Sequence, residues 1–469
     1  MTLIKSISGI RGTVGGIPGN NLTPLDVVKF VSAYATWVKE ERGQERAKIV
    51  IGRDARISGT MYTHLIEATL SGLGHDVVNI GLATTPTTEI AVIAEKADGG
   101  IILTASHNPK QWNALKLLNN QGEFLSATDG VKVLKLAEKE SFTYVGVEAL
   151  GNTTSFDYTD YHIQHVLGLS LVNRDAIARA NLRIVVDAVN SVGGIVIPML
   201  LKALGVQEVI ELNCEPTGQF AHDPEPLPEN LTQISAKVRE CGADIGIVVD
   251  PDVDRLALVC ENGEMFGEEY TLVAVADYVL KHTPGNTVSN LSSSRALRDI
   301  TLQHGCSYST AAVGEVNVVT KMKETQAIIG GEGNGGVIYP ESHHGRDALV
   351  GIGLFLSHLA TCGKSMTRLK ASYPSYFISK NKLTLPPPVD VNAILEGVKK
   401  QYTSEKITDI DGIKIDFASG WVHLRESNTE PILRIYSESK DEQAAIDLAQ
   451  QVISVVKRVI NEQASSRKP

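Results

Sequence analysis

A chain of 469 residues is too long for one hydrophobic core, so three or four domains are expected. Its 43% apolar and 21% charged residues are an ordinary soluble composition. The formal charge of −10 argues against a nucleic-acid partner, which needs a net basic footprint. Five widely spaced cysteines with no CxxC pair fit a reduced protein without disulfides or structural zinc. No cationic segment precedes an apolar stretch at the N-terminus, and the most apolar run, Leu349 to Leu356, is too short to span a bilayer. The expectation is a cytoplasmic protein with no membrane partner.

In chain order, the residues from Thr23 to Glu41 read as a helix. Thr23 is the N-cap, Pro24 the first helical residue, and Leu25, Val28, Val31, Tyr34 and Val38 an apolar stripe. Short Val/Ile-rich runs at Lys48–Ile51, Gly100–Leu103, Arg183–Val186, Asp244–Val249 and Ala327–Ile329 read as buried strands. Their near-continuous apolar character predicts parallel sheets covered on both faces. The polar segments after these strands are the natural places for ligands, which in open α/β sheets bind beyond the carboxyl ends of the strands. They are Gly52-Arg53-Asp54-Ala55-Arg56, Thr104-Ala105-Ser106-His107-Asn108-Pro109, Asp250-Pro251-Asp252-Val253-Asp254-Arg255 and Gly330 through Gly336.

The spacing predicts three successive mixed or parallel-sheet α/β domains, 1–150, 151–261 and 262–372, and a C-terminal α+β domain, 373–469. Tyr373–Val391, with Pro386-Pro387-Pro388, reads as a hinge or linker. A long helix follows from about Asp441 to Ile460, with a frayed tail over Gln463–Pro469.

Ser106, directly after a strand, reads either as an exposed serine positioned by backbone amides or as a helix N-cap. A GxSxG elbow for acyl transfer is absent. Asp250, Asp252 and Asp254 alternate across a tight turn and can converge on one hard cation, magnesium suiting a few carboxylates plus a phosphate oxygen. A calcium loop would need Gly where Arg255 stands, and an aspartyl-phosphate phosphatase would place Thr or Val where Asp254 stands. The bland alternative is a solvated acidic turn.

Gly330 to Gly336 holds Glu332 and Asn334 among five glycines. It lacks the Lys-Ser/Thr of a nucleotide loop, and Glu332 suits a neutral polyol better than a phosphate. A flexible surface turn is the alternative. Arg425 through Pro431, containing Ser427, Asn428 and Thr429, followed by Arg434, is either a phosphate cradle or a solvated charged turn. Arg11, Arg53, Arg56 and Lys116 add positive charge near Ser106. Lys116 is a candidate proton carrier if a cationic neighbourhood lowers its pKa. Of His343 and His344, at least one is expected to be structural.

In this order the motifs resemble the α-D-phosphohexomutase superfamily through nearly the whole chain. Thr104 through Pro109 is similar to its phosphoserine loop, Asp250 through Arg255 to its metal loop, Gly331 through Gly336 to its sugar-recognition loop, and Arg425 through Thr429 to its phosphate loop. Gly52 through Gly59 matches a further signature.

The resemblance implies four domains around a central cleft and a phosphoryl group carried on Ser106. It implies one Mg²⁺ per subunit on Asp250, Asp252, Asp254 and the Ser106 phosphate, and a hexose 1,6-bisphosphate as intermediate and activator. Ser106, His107, Lys116 and Arg11 would be catalytic. Glu332, Asn334, Arg425, Ser427, Asn428, Thr429 and Arg434 would bind a small phosphosugar, in a monomer or homodimer.

Many members have a Ser and then a closing His or aromatic residue where Asn334 and Gly336 stand, and Gly345-Arg346-Asp347-Ala348 departs from the usual Gly-Asp-Gly. The Gly-Glu-Gly-Asn-Gly-Gly form, with Gly314-Glu315 upstream, looks most like prokaryotic phosphoglucosamine mutases. Phosphomannomutase/phosphoglucomutase is the alternative, and a magnesium-dependent sugar-phosphate phosphatase a remote one.

Overall fold

The computed structural model describes residues 2–6, 9–385, 390–426 and 432–466. They fall into two units, Met1–Thr283 with Ile328–Lys370 and Pro284–Ala327 with Ala371–Pro469.

In the first unit, Thr23 caps the helix Pro24–Arg42 through a reciprocal capping box with Asp26, and Pro24 sits in the first turn. Val31, Tyr34 and Val38 are buried as expected, but Leu25 is 67% exposed, because it sits ahead of the stripe that Val27 and Phe30 begin. The strands β1 (Ile4–Ser6), β2 (Gly9–Thr13), β3 (Lys48–Arg53), β4 (Asp76–Leu82), β5 (Gly99–Leu103), β6 (Trp112–Leu118) and β7 (Thr153–Ser155) form a sheet in the order β1-β2-β6-β5-β3-β4-β7. β3, β4, β5 and β7 pair in parallel, whereas β1, β2 and β6 join antiparallel.

The near-continuous apolar runs have a simple cause. Ile49, Ile51, Ile101 and Leu103 face one core with Tyr34, Tyr62 and Ile66, while Val50 and Ile102 face another with Ala91 and Val92. Both faces of the sheet are covered, so neither tolerates alternation.

A second sheet, in the order β11-β10-β8-β9, holds β8 (Arg183–Asp187), β9 (Glu208–Leu212), β10 (Ile245–Val249) and β11 (Leu256–Cys260). β8, β9 and β10 are parallel and β11 is antiparallel to β10. The strand expected at Ala327–Ile329 lies further on, at Ile329–Glu332, and pairs antiparallel with Gly336–Ile338. Ala348–Cys362 packs as a helix against Glu268–His282.

In the second unit, Thr287–Asn290 and Tyr308–Ala311 pair in parallel. Downstream, Lys406–Thr408, Ile413–Asp416, Gly420–Glu426 and Ile432–Ser439 form an antiparallel sheet. The helix Glu442–Ser466, close to the expected position, packs Ala449, Val452 and Val456 on Ile415, Val422, Leu433 and Ile435. The expected hinge at Tyr373–Val391 is overturned in part. Phe377–Thr384 is a strand, paired antiparallel with Ile432–Ser439 over its full length. Pro386, Pro387 and Pro388 lie outside the described residues. No described helix is long and apolar enough to cross a membrane.

Candidate active site

β3 and β5 are parallel neighbours, so the segments leaving their carboxyl ends emerge side by side. Thr104 Oγ1 donates to Asp54 Oδ2 at 2.7 Å, and the Ser106 amide donates to Thr104 Oγ1 at 2.9 Å. Ser106 sits at φ 48°, a left-handed conformation that a non-glycine residue adopts only when its surroundings impose it. No helix follows it, so the helix-cap alternative falls, and at 8% exposure it is buried rather than exposed.

Arg56 imposes that conformation. Its guanidinium donates to Asp54 Oδ2 at 3.0 Å and to the carbonyls of Ser106, Asn108, Pro109 and Trp112 at 2.5, 2.6, 2.8 and 2.9 Å. The side chain is fully buried. Its charge is committed to the loop backbone and is not added to a ligand site as expected. Arg53, half-buried, donates to the Asp54 carbonyl at 3.2 Å.

Ser106 Oγ donates to Asp250 Oδ2 at 2.9 Å, which joins the serine loop to the acidic turn after β10. The turn is not solvated: Asp250, Asp252 and Asp254 are all fully buried. Val253 between them sits at φ 62°, a strained setting for a β-branched residue. Asp250 Oδ1 accepts from the amides of Asp254 and Arg255, each at 3.2 Å.

Burial, and then the repulsion of Asp252 and Asp254, push the Asp250 carboxyl well above its usual range. Three buried carboxylates that cannot all hold their charge call for a cation. Each of the three offers an oxygen, all within 4.8 Å of one another, and Asp252 Oδ1 and Asp254 Oδ1 accept no hydrogen bond. These hard oxygen donors fit magnesium, with the Ser106 oxygen at the rim.

The helix Thr85–Ala94 seats the turn from behind. Thr85 Oγ1 donates to Asp252 Oδ2 at 2.6 Å and the Thr85 amide to the Asp252 carbonyl at 2.9 Å. Nothing in the sequence reading pointed to this helix. Its polar residues Thr85, Thr87, Thr88 and Glu89 are buried, which no amphipathic pattern signals.

Lys116, on β6, donates to Asp252 Oδ2 at 2.7 Å and lies 3.5 Å from Asp254 Oδ2. The expected cationic neighbourhood is therefore overturned. Burial opposes the ammonium charge, but the two aspartates outweigh it and raise the pKa above the ordinary lysine range. His107 Nδ1 is 3.3 Å from Ser106 Oγ. Burial first, then the Arg255 charge, hold this imidazole well below its usual pKa, so it is neutral. Arg11, on β2, adds its positive field at His107.

The glycine-rich loop is buried and stitched to the acidic turn, not a flexible surface turn. The Leu256 amide donates to the Gly335 carbonyl at 3.0 Å. Gly335 has φ +86°, and a Cβ there would lie 2.3 Å from the Leu256 carbonyl oxygen, so only glycine fits. Asn334 Oδ1 accepts from the Gly336 amide at 3.2 Å, bracing the loop.

Glu332 is buried and accepts from Arg346 Nη1 at 2.7 Å, while Arg346 Nη2 donates to Asp254 Oδ2 at 2.7 Å. Arg346 stands in the segment that departs from the usual pattern, which was the available signal for it. His343 is structural, wedged between Glu89 Oε2 at 3.3 Å and Asp347 Oδ2 at 3.1 Å, and Asp347 Oδ2 also meets His162 at 2.9 Å. His344 is partly exposed, 3.9 Å from Glu123.

Arg425 and Arg434 belong to the other unit. They are cross-strand partners, with Arg425 Nε 3.6 Å from Asp411 and Arg434 Nη1 3.4 Å from the Tyr436 hydroxyl. Ser427, Asn428 and Thr429 lie outside the described residues.

Comparison with known proteins gives matches to four models, described as phosphoglucomutase/phosphomannomutase alpha/beta/alpha domain I over residues 3–144, domain II over 160–263, domain III over 267–376, and the C-terminal domain over 384–455. The chain is 36% identical to a phosphoglucomutase/phosphomannomutase of Thermococcus kodakarensis, over 92% of this chain and 95% of that protein. It is 32% identical to a probable phosphoglucosamine mutase of Pyrococcus horikoshii, over 98% of each. The crystal structure of a phosphoglucomutase/phosphomannomutase family protein from Burkholderia thailandensis superposes with a TM-score of 0.84 at 25% identity, covering 98% of both chains.

Proposed function

Because the chain belongs to the phosphoglucomutase/phosphomannomutase family, and so is an isomerase of the phosphohexomutase type, we propose that it works through a phosphoserine at Ser106, interconverting hexose 6-phosphate and 1-phosphate. Glucosamine phosphate is the proposed substrate. The observation that carries the mechanism is the 2.9 Å hydrogen bond from Ser106 Oγ to Asp250, at the rim of three buried carboxylates, two of whose oxygens accept no hydrogen bond.

In the forward step the bond between phosphorus and Ser106 Oγ breaks and one forms to the free hydroxyl oxygen of the sugar monophosphate, whose proton passes by way of His107 to Ser106 Oγ, giving a 1,6-bisphosphate and a free serine hydroxyl. After the bisphosphate reorients, Ser106 takes the other phosphate. As the bond from that phosphorus to the sugar oxygen breaks, the Ser106 hydroxyl proton passes through His107, which is neutral and 3.3 Å away, to the departing oxygen, which leaves as a free sugar hydroxyl. Bound magnesium supplies positive charge beside the transferring group.

Lys116 keeps its proton and orients Asp252, and Arg11 adds positive field. Glu332 and Asn334 meet the sugar hydroxyls. Arg425, Ser427, Asn428, Thr429 and Arg434 hold the phosphate that is not reacting, and a hexose 1,6-bisphosphate charges the serine.

The amino-sugar assignment draws on the relatives named as probable phosphoglucosamine mutases, which span almost the whole chain. A general hexose mutase is the second reading, favoured by the 36% identity to the Thermococcus kodakarensis protein. The test is kcat/KM for glucosamine, glucose and mannose 1-phosphates with matched bisphosphate. A preference of about tenfold for the amino sugar, about 1.4 kcal/mol in transition-state binding, supports the first reading. Equal or better use of the neutral sugars supports the second. Ser106→Ala should lose activity by several orders of magnitude while still binding phosphosugar; near-normal turnover would end the mechanism.

A further inference from the structure

We propose that Arg346 is a positioning residue that couples sugar recognition to cation binding, one guanidinium setting both the carboxylate that meets the sugar and a carboxylate that holds the metal. The assignment rests on the roles given above to Glu332 and Asp254.

The fork is divided between two loops. Nη1 donates to Glu332 Oε2 and Nη2 to Asp254 Oδ2, each at 2.7 Å, and the side chain is only 10% exposed. Because Oδ2 of Asp254 faces Arg346, with Lys116 at 3.5 Å, Oδ1 is the oxygen left without a hydrogen bond. Arg346 thus selects which oxygen of Asp254 a cation meets. The planar fork holds the two carboxylates on separate nitrogens in one fixed plane; a lysine ammonium, a compact point charge on a flexible stem, does not fix their relative orientation.

The backbone around Arg346 is anchored to both loops. The Asp347 amide donates to the Val337 carbonyl at 2.8 Å, and the Ala348 amide to the Val253 carbonyl at 3.2 Å. Asp347 Oδ1 caps the helix Ala348–Cys362 by accepting from the Leu349 and Val350 amides. The arm crosses Gly336, where a Cβ would lie 2.3 Å from Arg346 Cδ and 3.1 Å from Cγ. A side chain at position 336 would therefore force the Arg346 arm to shift. The Arg346 guanidinium ties Asp254 and Glu332 into one network. A sugar that displaces Glu332 is felt at the cation, and the cation in turn biases how Glu332 is presented.

The experiment measures Mg²⁺ affinity by isothermal titration calorimetry, without sugar, on wild type, Glu332→Gln, Arg346→Lys and the double variant, with kcat/KM measured alongside. Arg346→Lys is expected to weaken Mg²⁺ by about tenfold and lower kcat/KM by about 10- to 100-fold, the range for residues that orient metal ligands. Glu332→Gln, although no metal ligand, is expected to shift Mg²⁺ affinity by about threefold or more in wild type and not at all in Arg346→Lys.

Gly336→Ala displaces the arm without removing its charge, and is expected to reproduce Arg346→Lys should that variant fail to fold. A folded Arg346→Lys or Gly336→Ala with wild-type Mg²⁺ affinity would overturn the proposal, as would an equal Glu332→Gln effect in both backgrounds. The calorimetric readout involves no phosphoryl transfer, so an active Ser106→Ala would refute the phosphoserine mechanism and leave this coupling standing.

Discussion

Replacing Arg56 should be among the most damaging single changes in the chain, although its guanidinium faces no ligand. It is fully buried, pairs with buried Asp54, and satisfies four carbonyls that no strand or helix ladder serves. Removing one partner of a buried ion pair costs about 3–5 kcal/mol. The carbonyls of Ser106, Asn108 and Trp112, stripped of their donor, add about 1 kcal/mol each, less where water enters the vacated space, while that of Pro109 keeps the Trp112 amide at 3.0 Å. The sum for Arg56→Ala is roughly 5–8 kcal/mol, comparable to the whole stability of a domain, so that variant should not accumulate folded.

Arg56→Lys keeps the charge but reaches fewer acceptors, and should lose about 3 kcal/mol. In a unit of this size that lowers Tm by about 4–5 °C. Scanning calorimetry measures it, with phosphosugar turnover as the readout of the Ser106 loop. If Arg56→Ala folds with a Tm within about 2 °C of wild type, the claim that this guanidinium holds the loop is wrong.

Stability should also depend on His343. Burial opposes its charge, but Asp347 and Glu89 outweigh that and push its pKa from 6.5 up to about 10. A pKa raised on folding contributes fully below 6.5 and is lost as pH rises through 10. Wild type should lose on the order of 5 kcal/mol across that window, and urea unfolding of His343→Gln should show a flatter profile; equal slopes would refute it. Gly335→Ala, at φ +86° and 2.3 Å from the Leu256 carbonyl, should cost about 2–4 kcal/mol and reduce activity. A stable, fully active variant would show that the two loops are not stitched there.

What the sequence made legible were features whose meaning is local. Thr23 caps its helix because the cap, Pro24 and the acid at Asp26 lie within one turn. The aspartates at 250, 252 and 254 converge because a short turn leaves them little choice. Arg56 was read as one more positive charge, because nothing local says that its acceptors lie some fifty residues on, at Ser106 and Asn108. The buried threonines of Thr85–Ala94 break the usual patterning because they serve Asp252 and His162. Phe377–Thr384 was hidden by the prolines that follow it. Its half-buried alternation is nonetheless that of an edge strand, which no core strand pattern captures. The strain at Ser106 and Val253 is invisible in residue identities, because both would suit ordinary backbone elsewhere.

The most direct test of the central claim is transfer of label from a ³²P-labelled hexose 1,6-bisphosphate to the enzyme, followed by peptide mapping and a chase with unlabelled sugar monophosphate. The account predicts label on the peptide containing Ser106, none in Ser106→Ala, and quantitative return of the label to sugar during the chase. Label on Asp250, or turnover with no labelled enzyme at any time, would contradict it.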